Sequence, residues 1–221
     1  MKLKTFFVCM LILFSAFFCG CKTENHLVNY VSELRTDVFK GESENYRVVA
    51  NYGYKETPFI ADGTAKNKTY RLSFKLLDKE TSEATFELSF SHGGKDYSST
   101  FNFDPVSHSL LASVELDDFA LKEFSICIAN ASNSETILMQ SLLPKNTISF
   151  TSALDHVAKK QSKLIENYTD QNGNFTAEIH LRVLVKEQTA YWFVGIVKDG
   201  NMKAFLVDGI SGEILAMKEI L

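Results

Sequence analysis

The chain lacks any concentrated stretch of positive charge. It has 23 lysine and arginine residues against 27 aspartate and glutamate residues, which gives a formal net charge of −4. After residue 20, no run of consecutive basic residues is longer than Lys159-Lys160. Nucleic acid requires a basic face that displaces counterions from phosphates, so this composition excludes it as a partner. The acidic balance also opposes electrostatic adsorption to an anionic lipid surface.

Motifs that carry catalysis, metals or cofactors are also missing. The five histidines include no pair at metal-ligand spacing and no HExxH motif. Asp170-Gln-Asn-Gly-Asn174 resembles part of a calcium loop, but its twelfth position is Leu181 instead of glutamate, which favours a turn. Ser91 and His92 are adjacent, but neighbouring residues of a strand point to opposite faces and cannot share a proton, which favours a hairpin tip over a catalytic pair. We predict no catalytic, metal or cofactor site.

The N-terminal segment is strongly apolar. Lys2 and Lys4 form a short basic start, and Ser15 is the one polar residue in residues 6–19. A basic start, an apolar core of this length and a small residue before the cut are the parts of a secretory signal, whereas a membrane-spanning helix needs about 20 apolar residues. The pattern predicts that residues 1–20 are removed.

Phe18-Cys19-Gly20-Cys21 resembles the bacterial lipobox. The resemblance implies that the lipoprotein signal peptidase cuts between Gly20 and Cys21, and that Cys21 carries a diacylglyceryl thioether. Because each buried methylene contributes roughly 0.8 kcal/mol, two or three acyl chains anchor a protein stably. We expect an extracytoplasmic protein held at the cell membrane by the lipid on Cys21. Ordinary secretory cleavage near Ala16 is the alternative.

Cysteine is scarce in the rest of the chain. Cys9 and Cys19 leave with the signal and Cys21 carries the lipid, so Cys127 alone remains as a free thiol. An intrachain disulfide is then impossible, and about 200 residues must hold together by apolar burial. Cys127 alternates with apolar neighbours and has no histidine near it in the sequence, which predicts a structural residue on a strand.

After the lipid-bearing tether, residues 21–25, the spacing of apolar residues predicts a helix over residues 24–40. Leu27, Val31, Leu34 and Val38 recur at intervals of four, three and four, and Gly41 follows them. A tether of about four residues, at roughly 3.5 Å per residue, places the start of this helix within about 15 Å of the headgroups.

The period then changes to two, which predicts strands separated by turn residues. Turn chemistry occurs at Asp62-Gly63, His92-Gly93-Gly94, Asp104-Pro105 and residues 130–133. Seven short strands at this spacing favour an antiparallel sandwich or a strongly curled sheet, in a domain over residues 26–143 of no identified family. The predicted strands are residues 46–54, 70–76, 84–90, 97–103, 110–116, 124–128 and 136–142.

A second domain is predicted over residues 147–221. Pro144 cannot donate to a sheet ladder, and Ser149 is a good N-cap for a helix that runs to about Asn167. Four strands follow, and the helix should lie across them. The predicted fold class is therefore α+β, with a helix and β-sandwich-like first domain and a helix packed on a four-stranded antiparallel sheet. The four strands are residues 175–186, 191–198, 203–207 and 214–219.

The helix, the antiparallel strands and the closing pattern Val207-Asp208 followed by Ser211-Gly212-Glu213-Ile214 resemble the PepSY domain. PepSY domains occur in protease propeptides and in surface proteins of bacteria. The resemblance implies a role in binding or restraining a peptidase or another envelope protein, with no catalytic residue to transfer. It makes Asp208 and Gly212 hairpin residues, where Asp accepts turn N–H bonds and Gly supplies a positive φ.

One polar strand face is a candidate interaction surface. Glu178, His180 and Arg182 alternate with core-facing apolar residues, and either a solvated surface or a partner-binding face explains them. Trp192 alternates with Val194 and is expected in the core.

Together these features predict a non-enzymatic, lipid-anchored protein of a bacterial envelope that binds or regulates another envelope protein, such as a peptidase. The alternative is a surface lipoprotein that binds a small molecule or a glycan, for which the 18 phenylalanines and 8 tyrosines are a supply of aromatic contacts.

Overall fold

The computed structural model describes residues 26–58, 65–77 and 85–220. Within these ranges the chain is mostly β-structure, with thirteen strands, two α-helices and a 3-10 turn at His26–Tyr30. The elements in chain order are β1 (Val31–Glu42), β2 (Arg47–Glu56), β3 (Lys68–Leu77), β4 (Glu87–His92), β5 (Lys95–Thr100), β6 (Asn102–Asp104), β7 (Ser109–Glu115), β8 (Glu123–Ala129), β9 (Ser134–Ser141), α1 (Phe150–Lys160), α2 (Ser162–Asn167), β10 (Glu178–Lys186), β11 (Thr189–Lys198), β12 (Asn201–Asp208) and β13 (Ile214–Ile220).

All thirteen strands belong to one curled sheet. Its main path runs β13-β12-β11-β10-β1-β2-β3-β7-β6, and a branch of β9, β8, β4 and β5 leaves it at β1. The first half of β1 pairs in parallel with β10, where Leu34 lies opposite Leu181. Its second half pairs with β9, where Phe39 lies opposite Ser141. β1 is therefore the strand at which both parts of the sheet meet.

Two hydrophobic cores lie against the same face of the main path. The first is enclosed between the main path and the branch, where the ring centroids of Phe39 and Phe124 are 5.3 Å apart and those of Phe74 and Phe90 are 5.9 Å apart. The second lies between β10–β12 and α1 and also takes in Leu27, which is 2% exposed. Burying one large apolar side chain stabilises the fold by roughly 1.5–3 kcal/mol, so these cores supply most of its cohesion.

The strands predicted from alternation are confirmed, except that residues 97–103 belong to two strands, β5 and β6, instead of one. The turn chemistry in the described residues is also confirmed. Gly93 and Gly94 have φ values of 57° and 75° between β4 and β5. Asp208 Oδ1 accepts from the backbone N–H of Ile210 at 3.0 Å and of Ser211 at 2.7 Å, and Gly212 has a φ of 76°. The predicted turn at residues 62–63 lies outside the described residues.

The helix predicted over residues 24–40 is wrong, because residues 31–42 form β1. The pairing of β1 shifts register between Val31 and Glu33, and again between Arg35 and Asp37. Each irregularity places one extra residue in the strand and reverses the alternation of the side chains beyond it. Val31 and Leu34 consequently both reach the second core, at a spacing of three that imitates a helix.

The predicted α+β class is also wrong. The chain is mostly strand, and β10–β13 continue the thirteen-stranded sheet through β1 instead of forming a four-stranded sheet of their own. The spacing of side chains sets the period of a strand but does not specify its partner. In addition, the sequence predicts a helix where β1, the strand that joins the two parts, is found. The later helix is confirmed as α1 and α2, with Ser149 Oγ accepting from the N–H of Ser152 at 3.1 Å.

The division into domains at residues 143–147 stays a prediction. The second core combines Leu27, Val31, Leu34 and Tyr54 with residues after 147, so it draws on both sides of that boundary. The signal, Gly20, Cys21 and the tether lie outside the described residues. None of the helices in the described residues has the length and the apolar composition of a membrane-spanning segment.

Candidate functional site

One face of the main path turns away from both cores, and we call it the open face. On β2 the side chains of Val48, Ala50, Tyr52 and Tyr54 are buried in the cores, so Asn51 and its alternating neighbours lie on the open face. On β3 the same alternation places Arg71, Ser73 and Lys75 there. Because β1, β2, β3 and β7 curl, this part of the open face is concave.

The concave part holds a groove of about 650 Å³ that extends from β1 across β2, β3 and β7 to β6. Four of its lining residues are basic and two are acidic, in a chain whose total charge is negative. The two acidic residues are Glu33 and Asp104, and both are already engaged. Glu33 binds arginine, and Asp104 accepts from the backbone N–H of Ser107 at 3.0 Å. Glu115 pairs with Arg71 at the edge of the groove, so the four basic residues face three carboxylates and the groove carries a small excess of positive charge.

Strand register arranges the floor of the groove into rungs of directly opposed residues. The arginine rung consists of Arg35, Gly53, Arg71 and Glu115 across β1, β2, β3 and β7. Gly53 has no side chain, and backbone of β1 occupies the position where one would lie. A Cβ at Gly53 would lie 1.8 Å from the carbonyl oxygen of Leu34, because β1 bends onto β2 at its irregularity. The irregularity of β1, which gives its apolar residues a helix-like spacing, thus also shapes the groove.

Next along the strands is a rung of uncharged polar side chains, Asn51, Ser73 and Ser113, which we call the hydroxyl rung. Lys75 lies beyond it, opposite Leu111. Lys55 lies at the other end of the groove, opposite Glu33. Within the described residues, neither lysine forms an ion pair. Their ammonium groups are therefore available to a ligand.

The end of the groove at β1 is closed by a charge network centred on Glu33. Arg182 donates from Nε to Oε1 at 3.0 Å and from Nη2 to Oε2 at 2.6 Å, and Arg35 donates from Nε to Oε1 at 3.0 Å. Burial alone would raise the pKa of Glu33, but the hydrogen bonds and charge of Arg182, with the charges of Arg35 and His180, outweigh it. The pKa of Glu33 therefore lies below its usual value.

His180 and Glu178 lie beside this network. Glu178 is 3% exposed and accepts from Ser32 Oγ at 3.3 Å, and His180 Nε2 is 3.8 Å from Glu178 Oε2. Burial lowers the pKa of His180; Glu33 opposes that shift, while Arg182 and Lys55 add to it. The imidazole is therefore neutral at pH 7.

The structure brings the predicted residues Glu178, His180 and Arg182 together on the open face of β10. Glu178 is buried, His180 is mostly buried, and the side chain of Arg182 keeps 34% exposure while it binds Glu33. Arg182 supports the end of the groove through its bonds to Glu33, and a partner-binding role for the three residues stays a prediction. Sequence reasoning missed Glu33, because its partner lies 149 positions away.

Several other predicted residues have structural roles. Trp192 is 2% exposed and donates from Nε1 to the carbonyl of Ile148 at 3.0 Å, which confirms its place in the core. Cys127 is half-buried on β8, as predicted, with Sγ 3.2 Å from Ser134 Oγ. Asp170 accepts backbone N–H bonds from Asn172 and Asn174 and so forms a turn. In the described ranges, no three His, Cys, Asp or Glu side chains are grouped as metal ligands.

No family model matches the chain, and neither a curated protein nor a solved structure is significantly similar to it.

Proposed function

We propose that this protein is a non-enzymatic, lipid-anchored binding protein of a bacterial envelope, and that the groove holds a polar ligand. The groove is the observation on which this proposal rests. Its volume of about 650 Å³ lies within the range of roughly 300–1,000 Å³ that is usual for ligand sites. Amide, hydroxyl and basic side chains project from three strands into one concavity, and hydrogen bonds from such groups orient a polar ligand.

Rigidity of the floor supports a binding role. Arg35 and Arg182 are fixed by the buried Glu33, and Arg71 donates from Nη2 to Glu115 Oε1 at 2.8 Å. Side chains that are already ordered lose less conformational entropy when a ligand arrives, which favours affinity. Of the two functions expected from the sequence, this geometry favours the small-molecule or glycan ligand over the protein partner.

A substitution that fills the groove tests the proposal. Ser73→Trp places an indole in the middle of the hydroxyl rung, and Ser125→Trp, on an exposed strand serine of β8 outside the groove, is the matched control. Purified mature protein is mixed with oligosaccharides, both neutral and acidic, and its melting temperature is measured, because specific binding raises it by mass action. We expect a rise that Ser73→Trp abolishes and Ser125→Trp preserves. A rise that survives Ser73→Trp would place binding elsewhere.

The anchor is tested separately. We expect mass spectrometry of the mature N-terminus to find acylated Cys21, and Cys21→Ala to release the protein from the membrane fraction. The first turn, His26–Tyr30, begins five residues after Cys21, which is at most about 18 Å of extended chain, so the groove is held near the membrane. An unmodified N-terminus near residue 17 would instead support ordinary secretion.

A protein partner is the second candidate, and the open edge of β13 favours it. In the described part of the chain β13 pairs with β12 alone, and Leu215, Met217 and Ile220 are at least 44% exposed. An unpaired strand edge can accept an added strand from a partner, which agrees with the PepSY resemblance. Crosslinking on intact cells, with the Cys21→Ala form as control, tests it; Met217→Lys should reduce capture. Capture of lipid without protein would count against this candidate.

A further inference from the structure

We propose that the ligand of the groove is an uncharged, extended oligosaccharide that lies across the strands, with successive sugar units at Asn51, Ser73 and Ser113. This inference rests on the proposed function, and it adds the chemical class of the ligand and its direction in the groove.

The arginines of the groove are already bound to carboxylates of the protein. Glu33 accepts hydrogen bonds from Arg35 and Arg182, and Glu115 accepts from Arg71. A charged ligand would have to displace these partners, so the arginines offer it little net affinity. The polar groups that remain for a ligand are the uncharged ones between the ion pairs.

The hydroxyl rung is the part of the floor that is free to bind. In the part of the chain that the structure describes, no hydrogen bond joins the side chains of Asn51, Ser73 or Ser113 to another residue. Serine and asparagine side chains both donate and accept hydrogen bonds, as sugar hydroxyls do. Lys55 and Lys75 lie to either side of the rung, so its own length is without charge.

The spacing of the hydroxyl rung fits a sugar chain. Neighbouring strands lie about 4.8 Å apart, so the three side chains span about 10 Å across β2, β3 and β7. A hexose in an extended, β-linked chain advances the chain by about one strand spacing, so that each unit meets one side chain of the rung. An extended peptide advances about 3.3 Å per residue and turns alternate side chains to opposite sides, so its repeat does not match. The groove runs in the same direction, from β1 to β6.

An apolar strip lies beside the hydroxyl rung. Leu111 is an exposed apolar residue in the groove, two residues from Ser113 on β7, and it lies opposite Lys75, two residues from Ser73 on β3. The methylene stem of a lysine lies along apolar surface while its ammonium group stays in water. A sugar ring has hydroxyl groups at its edge and C–H groups on its faces, so a polar rung beside an apolar strip matches both.

The experiment uses titration calorimetry of the mature protein with neutral, β-linked probes: cellotetraose, mannotetraose, xylotetraose and tetra-N-acetylchitotetraose. Tetragalacturonate and a short Ser-Gly peptide are the charged comparison and the peptide comparison. We expect at least one neutral tetrasaccharide to bind, and its disaccharide to bind about tenfold more weakly because it reaches only part of the rung. The affinity should change less than about twofold between about 0.05 and 0.5 M NaCl, since the ligand has no charge for salt to screen.

Alanine variants of the hydroxyl rung complete the test. Asn51→Ala, Ser73→Ala and Ser113→Ala should each weaken binding about three- to tenfold, as expected for the loss of one neutral hydrogen bond. Ser89→Ala is the matched control, because Ser89 is an exposed serine of β4 that lies opposite Ser98 and outside the groove, and it should change nothing. Thermal unfolding of each variant checks that it is folded.

The outcomes separate this inference from the proposed function. Binding of tetragalacturonate or of the peptide alone, in a form that Ser73→Trp abolishes, would overturn the neutral sugar chain and keep the groove as a binding site. Tetrasaccharide binding that all three alanine variants leave unchanged would place the ligand away from the hydroxyl rung and overturn the inference as well. Failure of every probe would count against the groove as a binding site and so against both.

Discussion

At the scale of single residues, the buried pair of Glu33 and Arg182 has the greatest influence on the site. Glu33 accepts hydrogen bonds from two arginines on two different strands, and its carboxylate is almost completely buried. The pair fixes the relative position of β1 and β10 where they pair in parallel. It also orients Arg35 at the end of the groove.

We expect Glu33→Gln to destabilise the fold by about 2–3 kcal/mol, because two partly buried guanidinium groups lose their counter-charge. Urea denaturation measures the difference. Glu219→Gln is the control, since Glu219 is 58% exposed and pairs with Lys203 at 3.7 Å, where the loss should stay below about 1 kcal/mol. Equal losses in the two variants would contradict the importance given to the buried network.

Stability should fall as the pH decreases. His180 has a lowered pKa in the folded protein, so below its ordinary value of about 6.5 the unfolded chain binds a proton that the folded chain does not. Glu33 also has a lowered pKa, and its contribution is complete above its ordinary value of 4.5 and is lost as the pH falls through its folded pKa. Both groups act in the same direction, in successive pH windows.

The measurement is the urea midpoint between about pH 7.5 and pH 4. We expect His180→Gln to flatten the upper part of this profile, below about pH 6.5, and to leave the lower part, which belongs to Glu33. The wild-type protein, titrated under the same conditions, is the reference. A wild-type midpoint that rises as the pH falls from 6.5 would refute the assignment.

At the scale of elements, the bend of β1 decides the shape of the groove. A Cβ on Gly53 would meet backbone atoms of Leu34 and Arg35, which belong to the bent segment and cannot move without breaking the pairing of β1. Gly195 is the useful contrast, because a Cβ there would come no closer than 3.1 Å to a neighbour, and those neighbours are side chains.

We therefore expect Gly53→Ala to cost at least about 2 kcal/mol, and Gly195→Ala less than about 1 kcal/mol. Denaturation of the two variants under the same conditions gives the comparison. Gly53→Ala should also weaken ligand binding in the groove, since the segment of β1 that it displaces carries Arg35. Full stability of Gly53→Ala would show that β1 can straighten.

The sequence predicts most elements because most of them repeat a simple pattern. Leu72, Phe74 and Leu76 alternate with Arg71, Ser73 and Lys75 on β3, and this alternation marks both the core side and the polar side of the strand. The sequence predicts a helix instead of β1 because two register shifts interrupt the alternation of the strand. The basic residues on the polar side of β3 were visible in the sequence, but nothing there showed that the sheet curls around them.

At the scale of the whole molecule, the order of the strands is the property that a single sequence does not reveal. β1 and β10 begin 147 positions apart, and their pairing depends on complementary side chains such as Leu34 and Leu181 rather than on any local signal. The arginine and hydroxyl rungs exist only once β1, β2, β3 and β7 are in register. The groove could not be derived before the sheet was known.

Because β1 contributes to both hydrophobic cores, a fragment that lacks it should be less stable. Residues 147–221 expressed alone lose the pairing of β10 with β1 and the contribution of Leu27, Val31, Leu34 and Tyr54 to the second core. We expect this fragment to be much less stable than the same residues within the mature chain. Circular dichroism during urea titration measures it, and a fragment that unfolds at the same urea concentration as the mature chain would support two independent domains.

The position of β1 also has a mechanical consequence. If the lipid is attached at Cys21, a pulling force on the membrane anchor enters the fold through Leu27 and then runs along the axis of β1, which is hydrogen-bonded on both sides. Hydrogen bonds perpendicular to such a force are loaded together in shear instead of opening one at a time. Tension at the membrane would thus be borne by a strand that pairs with β2, β9 and β10, and the groove floor beside it would keep its shape under load.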